Sequence, residues 1–180
     1  MKWLIASDLH GSAVYGEALL KAAEREAPDK ILLLGDLLYH GPRNDLPQGY
    51  QPKKVIEQLS SLDGRVLCVR GNCDSEVDQM VLPFEIMTPT MILFVDGQLI
   101  FASHGHHYTP ENPPHISERF VLLGGHTHVA GFEERENFVY INPGSLSIPK
   151  ENTPHSYLVE ENGLWTWKTT DGDAFLQYKR

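Results

Sequence analysis

Cysteine is nearly absent from this sequence. Only Cys68 and Cys73 occur among 180 residues. Lying five positions apart with no second pair, they argue against a disulfide-stapled framework and for a reducing compartment. Basic residues are also in short supply: 15 Lys and Arg face 24 Asp and Glu, for a formal net charge of −9. Non-specific nucleic-acid binding and docking on anionic lipid both rest on clustered cations, so neither is expected. No apolar run approaches the length of a membrane span. The apolar start, Met1 to Ala6, is broken by Asp8 and His10 before it reaches the length of a signal-peptide core. Repeats, low-complexity tracts and linkers are missing as well. What remains is the expectation of a soluble cytoplasmic chain, one domain over residues 1–180, with 41% hydrophobic residues to supply its core.

The patterning that is present alternates strands with helices. Lys2 to Ser7, Ile31 to Leu34 and Arg65 to Val69 are short apolar runs that end in polar or glycine-bearing segments, as buried strands do. Ser12 to Glu26 and Lys53 to Leu62 carry apolar residues at helical spacing, and Leu38 to Gln51 is a Gly-, Pro- and Asn-rich loop. After about Leu82 the chain turns strand-rich. Met91 to Val95 and Leu99 to Ser103 flank Asp96-Gly97, a hairpin signal. Strands are expected near Phe120–Leu123, Gly131–Glu134, Phe138–Ile141, Ser156–Val159 and Leu164–Lys168. The pattern predicts two sheets packed together with helices outside.

Metal-binding residue types recur where these strands end: Asp8-Leu9-His10, Gly35-Asp36, Gly71-Asn72-Cys73-Asp74, Ser103-His104-Gly105-His106 and Gly124-Gly125-His126-Thr127-His128. Ligands of open α/β sheets sit at the carboxyl ends of the strands. Residues two apart on extended backbone project to one side, so Asp8 can meet His10, and His126 can meet His128. Mixed carboxylate, imidazole and amide oxygens suit Mn²⁺, Fe²⁺ or Zn²⁺ better than an all-oxygen calcium cage. Seven candidates are too many for one ion with an open position; with one shared carboxylate they fit two ions about 4 Å apart.

The ordered strings DLH, GD, GNCD, SHGH and GHTH over positions 8–128 resemble the calcineurin-like metallophosphoesterases. In particular they resemble the short, single-domain YfcE-type phosphodiesterases. His40-Gly41-Pro42-Arg43-Asn44 and Asn142-Pro143-Gly144-Ser145 extend the likeness. The resemblance implies a four-layer α-β-β-α sandwich of two mixed sheets with flanking helices. It also implies that Asp8, His10, Asp36 and His128 bind one metal, with Asp36 bridging to a second that Asn72, His104 and His126 complete. The activity implied is phosphodiester hydrolysis by a hydroxide bridging the two ions, with Mn²⁺ the expected metal and Zn²⁺, Fe²⁺, Ni²⁺ or Mg²⁺ as alternatives. A phosphomonoesterase or protein phosphatase, or a non-catalytic scaffold like the retromer subunit of this fold, are the alternative functions. The wider superfamily has His where Cys73 stands. His106 or His40 is therefore the expected source of the leaving-group proton, and His40, Arg43 and Cys73 are the expected substrate contacts.

Other residues read more plainly. Cys68, Trp3, Trp165 and Trp167 fall in strands and read as core; His107, His115 and His155 carry no motif and read as surface. Asp74 either orients a ligand or caps an exposed turn, and Asn142 and Ser145 shape a turn near the site. The partner expected is a small phosphodiester, with a homo-oligomer the expected state of association.

Overall fold

Parallel pairing of the first three strands sets the frame. In the computed structural model, which describes residues 1–179, β1 (Lys2–Ala6), β2 (Lys30–Leu33) and β3 (Val66–Cys68) lie side by side in parallel. They are linked by α1 (Ala13–Glu26) and α2 (Pro52–Ser60). Ser12 caps α1, its hydroxyl accepting from the Tyr15 N–H at 3.3 Å. Pro52 opens α2 in the first turn, where no N–H is needed. A single helical turn, α3 (Glu76–Gln79), follows β3 and is held by a reciprocal Ser75–Asp78 capping box.

β4 (Thr90–Val95) and β5 (Gln98–Ser103) form the expected hairpin, with Asp96 and Gly97 both at positive φ, as such a turn requires. β6 (Phe120–Leu123), β7 (Gly131–Glu134) and β8 (Phe138–Asn142) complete a sheet in the order β4-β5-β6-β8-β7. Within it β5, β6 and β8 run parallel. The chain then returns to the first sheet. β9 (Ser156–Glu161) pairs antiparallel with β1, and β10 (Leu164–Thr169) and β11 (Ala174–Lys179) extend it to the order β11-β10-β9-β1-β2-β3. The architecture is the expected one of two mixed sheets with flanking helices.

Alternation along the strands sorts residues between layers. Trp3 and Ile5 point between the sheets, where they join Leu158, Trp165 and Trp167 against Val121, Leu123, Val139 and Ile141. Leu4 and Ala6 face the other way, onto Leu19 and Ala22 of α1 and Val55 and Leu59 of α2. The outer face of the second sheet, Phe101, Phe120 and Phe138, is packed by Tyr108 and Ile116 from the segment 104–119. His155 departs from the surface reading. Its ring stacks on Tyr15 at 4.2 Å, and its Nδ1 donates to the Leu146 carbonyl at 2.8 Å, so it is a packing residue.

One buried charge ties the far end of the first sheet together. The Glu26 carboxylate, 4% exposed, meets Lys168 at 2.7 Å and Lys2 at 3.0 Å and accepts from the Tyr157 hydroxyl at 2.9 Å. Burial alone would raise its pKa; these partners outweigh burial and hold it below the ordinary carboxylate range. Its stabilisation is therefore present above the ordinary carboxylate pKa and is lost as the pH falls through the lowered one. Glu26→Gln is expected to lower the unfolding free energy at pH 7 by about 3 kcal/mol, since two ammonium groups lose their buried partner. Denaturant titrations should show that difference narrowing as the pH is taken below the ordinary carboxylate range.

Candidate metal centre

The loops that follow β1, β2, β3, β5, β6 and β8 meet at the carboxyl ends of these strands. Five of the residues placed there have left-handed backbone: Asp8 (φ 57°), His10 (49°), Asp36 (55°), His126 (64°) and His128 (62°). Such conformations are disfavoured for side chains other than glycine, and they persist only where the surroundings over-determine them. Here the surroundings do. The Asp8 carbonyl accepts from the Ser145 hydroxyl at 2.8 Å and the Ser147 hydroxyl at 3.0 Å, and the His10 N–H donates to the Asp36 carbonyl at 2.9 Å.

Three imidazoles are turned the same way. His10, His104 and His128 each donate Nδ1–H to a backbone carbonyl, those of Tyr39 (2.8 Å), Leu34 (2.7 Å) and Ile148 (2.8 Å). That places a proton on each Nδ1 and turns each Nε2 towards the centre. His10 Nε2 lies 3.4 Å from His128 Nε2, 3.5 Å from Asp8 Oδ1 and 3.7 Å from Asp36 Oδ2. His128 Nε2 is 3.1 Å from Asp8 Oδ1, an oxygen buried without a hydrogen-bond donor. A second group forms around His104, whose Nε2 is 3.0 Å from Asn72 Oδ1, 3.2 Å from His126 Nδ1 and 3.4 Å from Asp36 Oδ2. Asp36 Oδ2 belongs to both.

Acceptors facing acceptors at these distances repel unless positive charge lies among them. The electrostatics agree. Burial opposes a charged imidazole at His104, yet the carboxylates of Asp36 and Asp8 outweigh it and raise the pKa to about 9. Burial would likewise raise Asp8, but His10 and His128 hold it well below the usual carboxylate range. The donor set fits divalent metal ions, and Asp8, His10 and His128 present ligand atoms within reach of one ion.

Asp74 locks the two loops that carry Asp36 and Asn72. Its buried carboxylate accepts from the N–H groups of Asp36 (2.9 Å), Leu37 (2.9 Å) and Gly71 (2.8 Å). Of the two readings open in the sequence, the buried, orienting one is what the structure shows. Gly71 and Gly125 are needed for close approach: a Cβ on the first would run into Asp36, and one on the second into Ser7 and Asp8. Asn142 holds the other side, its amide donating to the Gly125 carbonyl at 2.8 Å and to Thr127 Oγ1 at 3.0 Å.

Above the ligand set opens a cleft of about 420 Å³ lined by Asp36, Asn72, Cys73, His126 and His128, with Arg43 and Lys150 among its walls. Arg43 and Cys73 thus stand where substrate contacts were expected. The Cys73 thiol is pushed up to about 12 by burial and by the Asp36 carboxylate, so it is neutral. His40 does not line the cleft; its ring packs edge-on between Tyr39 (4.7 Å) and Tyr50 (5.3 Å). His106 contacts the His104 and His126 rings at 5.4 and 6.0 Å but lines a separate hollow beside Pro89, Thr90 and Tyr108. Burial and the neighbouring histidines lower its pKa to about 4. Lys150 escaped the sequence reading, although only Pro149 separates it from the Asn142–Ile148 stretch that holds the site.

With two packed mixed sheets and a nitrogen–oxygen donor set at their carboxyl ends, the chain belongs to the calcineurin-like phosphoesterase superfamily, whose domain model matches residues 1–162. It is a phosphoesterase by that membership. Over 164 residues, 91% of this chain and 89% of the relative, it is 46% identical to phosphodiesterase YfcE of Escherichia coli strain K12. The solved structure of YfcE, a phosphoesterase from E. coli, matches 99% of this chain and 98% of its own with a TM-score of 0.95 and 42% identity. The probable metallophosphoesterase YsnB of Bacillus subtilis strain 168 is 27% identical over 166 residues, 88% of this chain and 83% of its own. Vps29 of Chaetomium thermophilum shares the fold at a TM-score of 0.63 and 16% identity, over 100% of this chain and 99% of its own.

Asp74→Asn is expected to weaken Mn²⁺ binding by about 10- to 100-fold, because its amide must set an N–H against a backbone N–H. Calorimetric titration of the refolded variant measures this, with circular dichroism confirming that the fold is retained.

Proposed function

We propose that this chain is a phosphodiesterase dependent on two divalent cations, Mn²⁺ by preference, acting as one domain on a small diester in the cytoplasm. The observation that carries the reading is the sharing of Asp36 Oδ2 between two groups of converging acceptors. In the proposal Asp8, His10, Asp36 and His128 hold one ion, and Asp36, Asn72, His104 and His126 hold the other. Two such ions supply Lewis acidity: they make water acidic enough to act as a nucleophile near neutral pH and neutralise charge on a phosphate ester.

The remaining work falls to the chain. The Nδ1–carbonyl bonds keep the three rings turned with Nε2 towards the centre. Arg43 and Lys150 give an acidic protein a local pair of cations beside the cleft, placed to hold phosphate oxygens. The neutral Cys73 thiol is a wall and not a nucleophile. His106, outside the cleft, acts in this proposal on the His104 ring and not on the ester. No helix among the described residues is long and apolar enough to cross a membrane, and both cysteines are free, which fits the compartment proposed. The scaffold alternative has less support, because the full ligand set is present and preoriented.

Stripping the protein with chelator and restoring Mn²⁺ should return hydrolysis of bis-p-nitrophenyl phosphate at rates well above those on p-nitrophenyl phosphate. Asp36→Ala should lower kcat/KM by at least about a thousandfold. A preference for the monoester would move the assignment to a phosphomonoesterase. Arg43→Ala and Lys150→Ala should each raise KM about tenfold while leaving kcat within about twofold, as loss of a charge-assisted contact to bound phosphate predicts. Initial-rate kinetics on each variant settle this.

A further inference from the structure

The cleft over the ligand set has a neighbour. Pro42, Arg43, Asn72 and Cys73 line both that cleft and a second groove of about 850 Å³, twice as large, bounded by the 38–53 loop, α2 and α3. The two spaces share these four wall residues and differ in character. The cleft is polar, closed by His126, Thr127, His128 and Lys150. The groove is walled largely by apolar side chains, including Tyr39, Tyr50, Ile56, Val77 and Val81.

Several of those side chains are not used by the core. Val77 is 69% exposed, Val81 46% and Tyr39 42%, and α3 buries none of its residues. Yet this turn is firmly anchored. Its capping box closes one end, while the Gln79 amide donates to the Phe84 carbonyl at 3.0 Å and accepts from the Ile86 N–H at 2.8 Å. Two valines are thus held in water in a groove that shares a wall with the proposed catalytic cleft. A volume of this order is that of a small-molecule pocket, and the apolar walls are interrupted by polar groups at Lys53, Arg70, Ser75 and Asp78.

A phosphodiester has two ester arms, and a phosphate held in the cleft beside Arg43 and Cys73 can direct one of them over the shared wall. We infer that the groove binds that arm, and that the arm is a flat apolar group, aryl or heteroaryl, seated against Tyr50, Val77 and Val81. This rests on the phosphodiesterase reading of the cleft. Arg43, shared by both spaces, then marks the junction between the phosphate and the arm. Specificity for the ester lies in the groove, and the ligand set sees only the phosphate.

The test compares benzylphosphonate with methylphosphonate by calorimetric titration of the Mn²⁺-reconstituted protein, wild type and Val77→Ser/Val81→Ser. Both valines are exposed and lie outside the ligand set, so methylphosphonate affinity should change by less than about twofold. The benzyl compound should bind at least about tenfold more tightly to the wild type, about 1.4 kcal/mol, and less than about twofold more tightly to the variant. Equal affinities in the wild type, a gap that survives both substitutions, or no binding of either compound would overturn the inference. Neither phosphonate is hydrolysed, so the gap is read independently of turnover. A protein that shows the gap but does not cleave diesters would refute the phosphodiesterase reading and leave the groove assignment standing.

Discussion

Three backbone carbonyls, those of Leu34, Tyr39 and Ile148, decide how His104, His10 and His128 present their rings. A carbonyl accepts and cannot donate, so each Nδ1 must carry a proton, and each ring turns its Nε2 to the centre. Without that constraint the same residues could pair with one another as donor and acceptor and close the site. With it, carboxylate oxygens, the three Nε2 atoms and the Asn72 amide oxygen converge on one interior. The interior is then a place that positive charge occupies favourably, at the cost of local backbone strain in the residues that carry it.

That strain explains the density of support around the site. Asp8, His10, Asp36, His126 and His128 all adopt left-handed backbone, and each lies in a loop held by side chains that bind no substrate. Ser145 and Ser147 hold Asp8, Asp74 holds Asp36, and Asn142 holds the loop of His126 and His128. Glycines fill the positions where loops cross too closely for any Cβ. The sheets provide rigid ends from which these loops spring, and the inter-sheet packing of Trp165 and Trp167 fixes their relative position.

Much of this was legible in the chain. The strings ending β1, β2, β3, β5 and β6 carry both the strand ends and the metal-binding residue types, so fold and ligand set were readable together. Other features were not. α3 is a single turn and too short to show a period, and β11 leaves most of its residues exposed, so its apolar signal is faint. The role of Asp74 could not be separated from that of any turn aspartate, because its partners are backbone N–H groups that carry no sequence identity. Lys150 reaches the cleft by the course of a loop, and His155 is packed by Tyr15, which lies far from it in the chain. Long-range pairing of this kind leaves no local pattern.

β1 lies in the interior of its sheet, with β2 on one side and β9 on the other, and Ile5 pairs with Leu158. The second edge of β1 is therefore covered by a strand from far along the chain. Contacts so distant along the chain close slowly, and an uncovered apolar strand is an invitation to mispairing until they do. Asp8 and His10 hang from the end of that strand, and Ser145 and Ser147, which steady Asp8, are made only shortly before β9. Closing the β1–β9 pair and steadying Asp8 are thereby coupled: the loops that carry the candidate ligands are set only once segments far apart in the chain have met.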